Sequence, residues 1–208
     1  MAASTEPPDR AELHDAALRH LARYGTTQTG LLRVLHRRIE RWGRAMRDAR
    51  DGAEGREAVA AQVAAARALA AEVVAALAAV RAVDDAAYAN ARASRLARGG
   101  RSSRVIVADL ANRGVASEVV REALPGTAEA ELAAAVILTR RRRIGAFRLP
   151  EVAEDARREA GVLARAGFPA EIARAALRMD REAAETLIRA FRRDPQGSAD
   201  GGLSGTSP

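Results

Sequence analysis

Arginine supplies the most abundant chemistry in this chain: all 34 basic residues among its 208 are arginine, and no lysine occurs. A guanidinium is planar, keeps its charge and presents a fork of donors that matches phosphate and carboxylate, so clustered arginines are first of all candidate anion sites. A bias toward GC-rich codons would raise Arg, Ala and Gly together, so position says more than abundance. Residues 31–50 hold seven arginines and two acids, residues 92–113 six and one, and residues 140–148 five and none. Those segments carry +15 while the remainder carries −8, a segregation hidden by the net charge of +7. Charge sorted in this way is the electrostatic footprint for a polyanion or an acidic surface. The candidate contacts are Arg92, Arg95, Arg98, Arg101, Arg104, Arg113, Arg140, Arg141, Arg142, Arg143 and Arg148. The run Arg140 to Arg143 covers more than one helical turn, so its four guanidiniums splay and cannot all be buried. Arg33, Arg37, Arg41 and Arg44 form a further cationic stripe, for which a solvated helix face is the simpler reading.

Other reactive side chains are sparse. The three histidines, His14, His20 and His36, make no convincing site, because His14 and His20 are six residues apart and a helix brings together positions three or four apart. Without cysteine there is no thiolate nucleophile, metal thiolate or disulfide framework. Asp84 and Asp85 stand at a helix start, where a carboxylate caps backbone N–H groups more readily than it performs acid–base work. A phosphate loop of the lysine-containing type is impossible without lysine. No catalytic residue, metal or cofactor is therefore expected, and the chain is not expected to be an enzyme. The few aromatics, Tyr24, Trp42, Tyr88, Phe147, Phe168 and Phe191, fall mostly at apolar-face positions and read as core rather than as base-stacking platforms.

The elements that must carry these arginines are helices. Ala, Leu, Glu and Arg dominate, β-branched runs are short, and Gly or Pro separates helix-length segments, which predicts an all-α fold. A first helix is expected over 11–24 with Gly25 as its stop, and Thr26 to Thr29 supplies the next N-cap. From Leu31, the residues Leu32, Leu35, Ile39, Trp42 and Met46 fall at steps of three and four, one continuous apolar stripe. A break is expected from Asp51-Gly52 to Gly55, then an alanine-rich helix to Val80. Gln62, Arg67 and Glu72 interrupt that apolar stretch, so no membrane span is expected. The first ten residues lack a signal-peptide core, and the default compartment is the cytoplasm. Helices are further expected over 85–97, from 104 to near Gly114, over 117–124 before Pro125-Gly126, over 128–143 and over 151–166. Pro169 is expected at the first position of a final helix that runs through Phe191.

A shift of 53 residues aligns Leu110, Gly114, Val115, Glu118, Val119, Ala123 and Leu124 with Leu163, Gly167, Phe168, Glu171, Ile172, Ala176 and Leu177. This is a helix, a glycine turn and a second helix, repeated. The apolar members, Val119, Leu124, Ile172 and Leu177 included, are expected to be buried. With a preceding helix each, the repeats become three-helix modules. The chain divides into a disordered start (1–10), a divergent helical module with a charged insertion near 43–58 (11–82), a central module (83–125), a C-terminal module (126–193) and a disordered tail (194–208). Stacked modules predict an elongated, curved array.

The order Asp84-Asp85, Tyr88-Ala89, Arg95, Gly99-Gly100, Ile106, Leu110, Arg113-Gly114-Val115 and Val119 to Leu124 resembles the central module of the RecX family. Arg142-Arg143-Ile144-Gly145-Ala146-Phe147-Arg148, followed by Leu163 to Phe168, is similar to that family's last module. Ala146 stands where family members often carry proline, and the N-terminal glycine turn is replaced by an Arg-rich helix. The resemblance implies a non-enzymatic negative modulator of the RecA recombinase, which lies in the groove of the RecA–DNA filament and inhibits its ATPase and strand exchange. The implied partners are the RecA filament and DNA, the latter through phosphates and largely without sequence preference, for a monomeric protein with no membrane attachment. The alternative is a helix-turn-helix DNA-binding transcriptional regulator, built on 104–112, Gly114 and 117–124. Its second helix would present chiefly Glu118, Arg121 and Glu122, a poor set for reading base edges.

Overall fold

The computed structural model describes residues 5–49, 52–124, 126–151, 153 and 155–193, so the expected tail at 194–208 and residues 1–4 of the expected disordered start (1–10) lie outside the described residues. Among the described residues the secondary structure is ten α-helices and one short 3-10 turn, with no strand: an all-α protein of tandem helical modules. The chain forms two compact units, one of residues Met1–Tyr88 with Arg113–Val115 and one of Ala89–Asn112 with Ala116–Pro208.

The first unit holds three helices. Helix α1 (Arg10–Leu21) begins where the Asp9 carboxylate accepts the Glu12 N–H at 2.7 Å. It ends before the expected stop. Ala22 closes it, Gly25 is not left-handed, and Tyr24, past the last turn, is 59% exposed rather than in the core. Thr27 caps α2 (Gln28–Ala49), accepting the Gly30 N–H while donating to the Arg113 carbonyl at 2.7 Å. The apolar stripe of α2 is buried at Leu31, Leu35, Ile39, Trp42 and Met46 and half-buried at Leu32.

Helix α3 (Ala53–Ala79) runs back along α2. Glu40 meets Arg67 at 2.8 Å, and a Cβ on Gly43 would fall 2.6 Å from Val63. The described residues of the charged stretch near 43–58 lie in the end of α2 and the start of α3, and α3 includes Gly55, where the sequence predicts a break. Extending the apolar stripes of both helices lengthens one hairpin, whose charged residues are its solvent side. By length and composition α3 is apolar enough to cross a membrane. Its Val59, Val63, Ala66, Ala70, Val73, Val74 and Leu77 are buried in the core shared with Leu13, Ala17 and the α2 stripe.

Helix α4 (Asp85–Arg98) starts at Asp84, whose carboxylate accepts the Ala87 N–H at 2.9 Å, and the boundary between units passes through its first turn. Left-handed Gly100 ends it, with the Arg101 N–H donating to Leu96 and the Gly100 N–H to Ala97. Helices α5 (Ser103–Asn112) and α6 (Ser117–Ala123) follow, then α7 (Ala128–Arg142), capped by Thr127. A 3-10 turn at Gly145–Phe147 leads to α8 (Ala156–Arg165), α9 (Ala170–Arg178) and α10 (Arg181–Arg193).

The 53-residue repeat reappears in the helix bounds: α5 shifted by 53 covers the same residues as α8, and α6 falls on the first seven residues of α9. Leu110 and Leu163 are fully buried, Gly114 and Gly167 are both left-handed, and Val115 and Phe168 are buried beside them. The expected burial of Val119, Leu124, Ile172 and Leu177 is corrected, because all four are only half-buried. The short helices turn Val120 with Ala123, and equivalently Ala173 with Ala176, to the inside. Helix α8 starts at 156 rather than 151, because Asp155 caps it by accepting the Arg158 N–H. Pro169 stands at the N-cap of α9, one place before the expected position. The expected final helix is two, since Asp180 accepts the Ala183 N–H and opens α10.

Candidate basic site

Two of the candidate arginines are engaged inside the second unit. Arg92 of α4 grips Asp109 of α5 with both ends of its fork, at 2.9 Å each, and the pair is about three quarters buried. Arg148 does the same to Glu159 of α8, at 2.8 Å each, with 19% and 8% of the side chains exposed. Glu159 also accepts the Gly145 N–H at 3.1 Å. These bidentate pairs tie α4 itself to α5 and the chain that follows α7 to α8. Arg148 and its hydrogen bonds hold the Glu159 carboxyl below its ordinary value. Arg113, in the first unit, lies over the Tyr88 ring at 6.0 Å.

The remaining candidates are exposed: Arg95 and Arg98 on α4, Arg101 and Arg104 around the start of α5, and Arg140 to Arg143 at the end of α7. Three of them converge. Arg101, Arg141 and Arg142 line one cleft of about 650 Å³ together with Arg165 from the end of α8, over an apolar floor of Leu138, Val162 and Ala166. None of the described residues lining it is a carboxylate, while Arg142 and Val162 also border a second cleft lined by Asp155 and Glu159. Arg141 is braced by donating to the Gly99 carbonyl.

Local backbone chemistry positions these side chains. The left-handed turn at Gly100 redirects the chain so that Arg101 leaves α4 at the cleft, and a Cβ at Gly100 would come within 3.0 Å of the Leu138 N. Ser102, fully buried, donates its hydroxyl to the Ala166 carbonyl at 2.7 Å and accepts from the Val105 N–H, capping α5. Glu131 of α7 accepts from the Ser103 N–H and hydroxyl, so the start of α5 is held from two sides. Arg143 ends α7 in the left-handed conformation at φ +55°, the role that Gly100 plays at the end of α4.

Arg165 was not among the sequence candidates because it stands alone, outside every arginine-rich segment. Under the 53-residue shift it aligns with Asn112, so the repeat carries no arginine signal there, and only the packing of α8 brings it to the cleft. Asp84 is held below the ordinary aspartate value by the Ala87 N–H, consistent with its cap position. Burial, reinforced by Arg67, lowers the His36 imidazole, which favours its neutral form.

A family model described as RecX, second three-helix domain, matches residues 84–124, the span of α4, α5 and α6. The regulatory protein RecX of Myxococcus xanthus strain DK1622 is 38% identical over 166 residues, 78% of this chain and 82% of that protein. The regulatory protein RecX of Agrobacterium fabrum strain C58 is 36% identical over 107 residues, 51% and 57% of the two chains. That of Thermobifida fusca strain YX is 38% identical over 102 residues, 49% and 55%. No solved structure matches. With four fifths of the Myxococcus protein covered and the matched three-helix domain lying on α4 to α6, the chain belongs to the RecX family.

Proposed function

We propose that this chain is a non-enzymatic negative modulator of a RecA-type recombinase, acting in the cytoplasm by binding the recombinase–DNA filament and inhibiting its ATP hydrolysis and strand exchange. The observation that carries this reading is the four-arginine cleft with no carboxylate among its described lining residues, on a chain whose relatives are RecX regulators. Exposed guanidiniums gathered in one cleft suit a surface dense in anions, and a filament offers both DNA phosphates and protein carboxylates. The modules at 11–82, 83–125 and 126–193 then serve as successive docking units of a monomer, and several weak contacts add through their linkage. Within the contact set, Arg92 and Arg148 act as internal struts, because their forks are already filled by Asp109 and Glu159.

The transcription-factor reading has less support. Helix α6 is only seven residues long, and outward Arg121 stands 3.7 Å from Glu118 on its own helix. Such a helix offers few donors to base edges. The test measures binding of the full chain to RecA–single-stranded DNA filaments, to bare DNA and to RecA alone. Preference for the filament supports the proposal, while preference for one duplex sequence overturns it.

A further inference from the structure

We infer that the cleft lined by Arg101, Arg141, Arg142 and Arg165 is a phosphoryl-binding site that takes two or more neighbouring phosphoryl groups, as adjacent phosphodiesters of a nucleic-acid strand or as a free oligophosphate. The inference deepens the filament reading and rests on it for the biological occasion of binding, but the site is argued from its own geometry.

Four like charges line a space of about 650 Å³, within the range of small-ligand sites, and none of the described residues lining it is acidic. Mutual repulsion among guanidiniums disfavours this arrangement until an anion enters. The fold nevertheless enforces it from three separate segments. Arg141 is fixed by the Gly99 carbonyl. The Ser102–Ala166 hydrogen bond lies one residue from Arg101 on one side and one residue from Arg165 on the other, so it holds together the two segments that carry those charges. A Cβ at Gly167 would sit 2.8 Å from the Ser102 hydroxyl, so glycine is what lets the segments approach.

Phosphoryl groups fit this site better than carboxylates for two reasons. A chain of phosphates concentrates more charge in the volume than side-chain carboxylates spread along a polypeptide, and each phosphoryl offers several oxygens to arginine forks. The floor of Leu138 and Val162 lowers the local dielectric below that of an open surface and gives a sugar an apolar wall. Ser102 is a positioning residue here, acting through the two arginines.

The test titrates the full chain with inorganic tripolyphosphate and with a short single-stranded oligothymidylate, by calorimetry at low salt. The cleft variant Arg101→Gln/Arg142→Gln/Arg165→Gln is compared with a variant reduced by the same charge elsewhere, Arg174→Gln/Arg178→Gln/Arg193→Gln. The inference expects roughly tenfold weaker binding for each cleft arginine removed, against less than threefold in total for the control. Competition between the two probes identifies one site open to free oligophosphate. Cleft-dependent binding of the oligonucleotide alone identifies the strand backbone as the source. Loss that is equal in both variants, no binding of either probe, or displacement by hexaglutamate at equal concentration overturns the inference. Circular dichroism confirms that the variants fold, and Ser102→Ala, which keeps every arginine, should weaken both probes as an independent check. Cleft-dependent phosphoryl binding by a protein that leaves recombinase ATP hydrolysis untouched would refute the filament reading alone. Inhibition by a protein whose cleft binds no phosphoryl group would refute this inference alone.

Discussion

The Ser102 hydroxyl donates to the Ala166 carbonyl at 2.7 Å across 64 residues of sequence. That bond fastens the segment carrying Arg101 to the segment carrying Arg165 and caps α5 at the same time. A fully buried side chain thereby supports two exposed charges.

Removing the hydroxyl tests this coupling. Ser102→Ala leaves the Ala166 carbonyl without its partner and α5 without its cap, for an expected loss of about 1–3 kcal/mol in urea unfolding. Gly167→Ala should cost at least as much, because φ is +86° and the new methyl would meet the Ser102 hydroxyl. A Ser102→Ala protein as stable as wild type would show that the bond contributes nothing.

The Arg148–Glu159 pair should behave as a buried unit. Arg148→Ala strands an 8% exposed carboxylate, with an expected loss of about 3–5 kcal/mol, whereas replacing both partners with methionine and leucine should recover most of it. Chemical denaturation of the single and double variants measures the difference. Equal losses in both would mean that the pair is not coupled.

The same pair sets a pH dependence. Arg148 holds the folded Glu159 carboxyl below its ordinary 4.5, so its stabilising contribution is complete above that value and is lost as pH falls through the depressed one. Acid unfolding followed by circular dichroism should therefore show a smaller loss between pH 5 and 3 in Glu159→Gln than in wild type. An identical acid limb in the two proteins would contradict the assignment.

Arg143 occupies a left-handed helix end where the preceding module uses Gly100. Arg143→Gly should raise stability by about 0.5–1 kcal/mol by relieving that backbone, read as a higher melting temperature. A lower melting temperature would show that the Arg143 side chain contributes more than its backbone costs.

Much of this architecture is legible in residue spacing. The stripe from Leu31 to Met46, the cap at Asp84 and the paired turns at Gly114 and Gly167 are local patterns, and each forms the expected element. Pairing across segments is not local. That Arg148 is filled by Glu159 and Arg92 by Asp109 depends on which helix packs beside which, so equal-looking arginines divide into struts and exposed charges only in three dimensions. Arg165 is the converse case: unremarked alone, it joins Arg101, Arg141 and Arg142 because α8 ends at their cleft.

DNA contact through these guanidiniums should be steeply salt-dependent. For single strands the slope of log affinity against log salt is expected near −0.7 for each phosphate engaged, and the triple cleft variant should flatten it by about two. Fluorescence titrations from 50 to 200 mM salt measure the slope. A slope unchanged by the variant would place the phosphate contacts elsewhere.

The central claim is tested most directly by the rate of RecA ATP hydrolysis on single-stranded DNA, measured against increasing wild-type protein and increasing Arg101→Gln/Arg142→Gln/Arg165→Gln. Exposed surface charges contribute little to folding, about 0–1 kcal/mol per ion pair, so the variant should melt with wild type. The account predicts that wild type suppresses hydrolysis and that the folded variant needs at least tenfold more protein for the same effect. A wild-type protein without effect on hydrolysis, or a folded variant that inhibits as well as wild type, would contradict it.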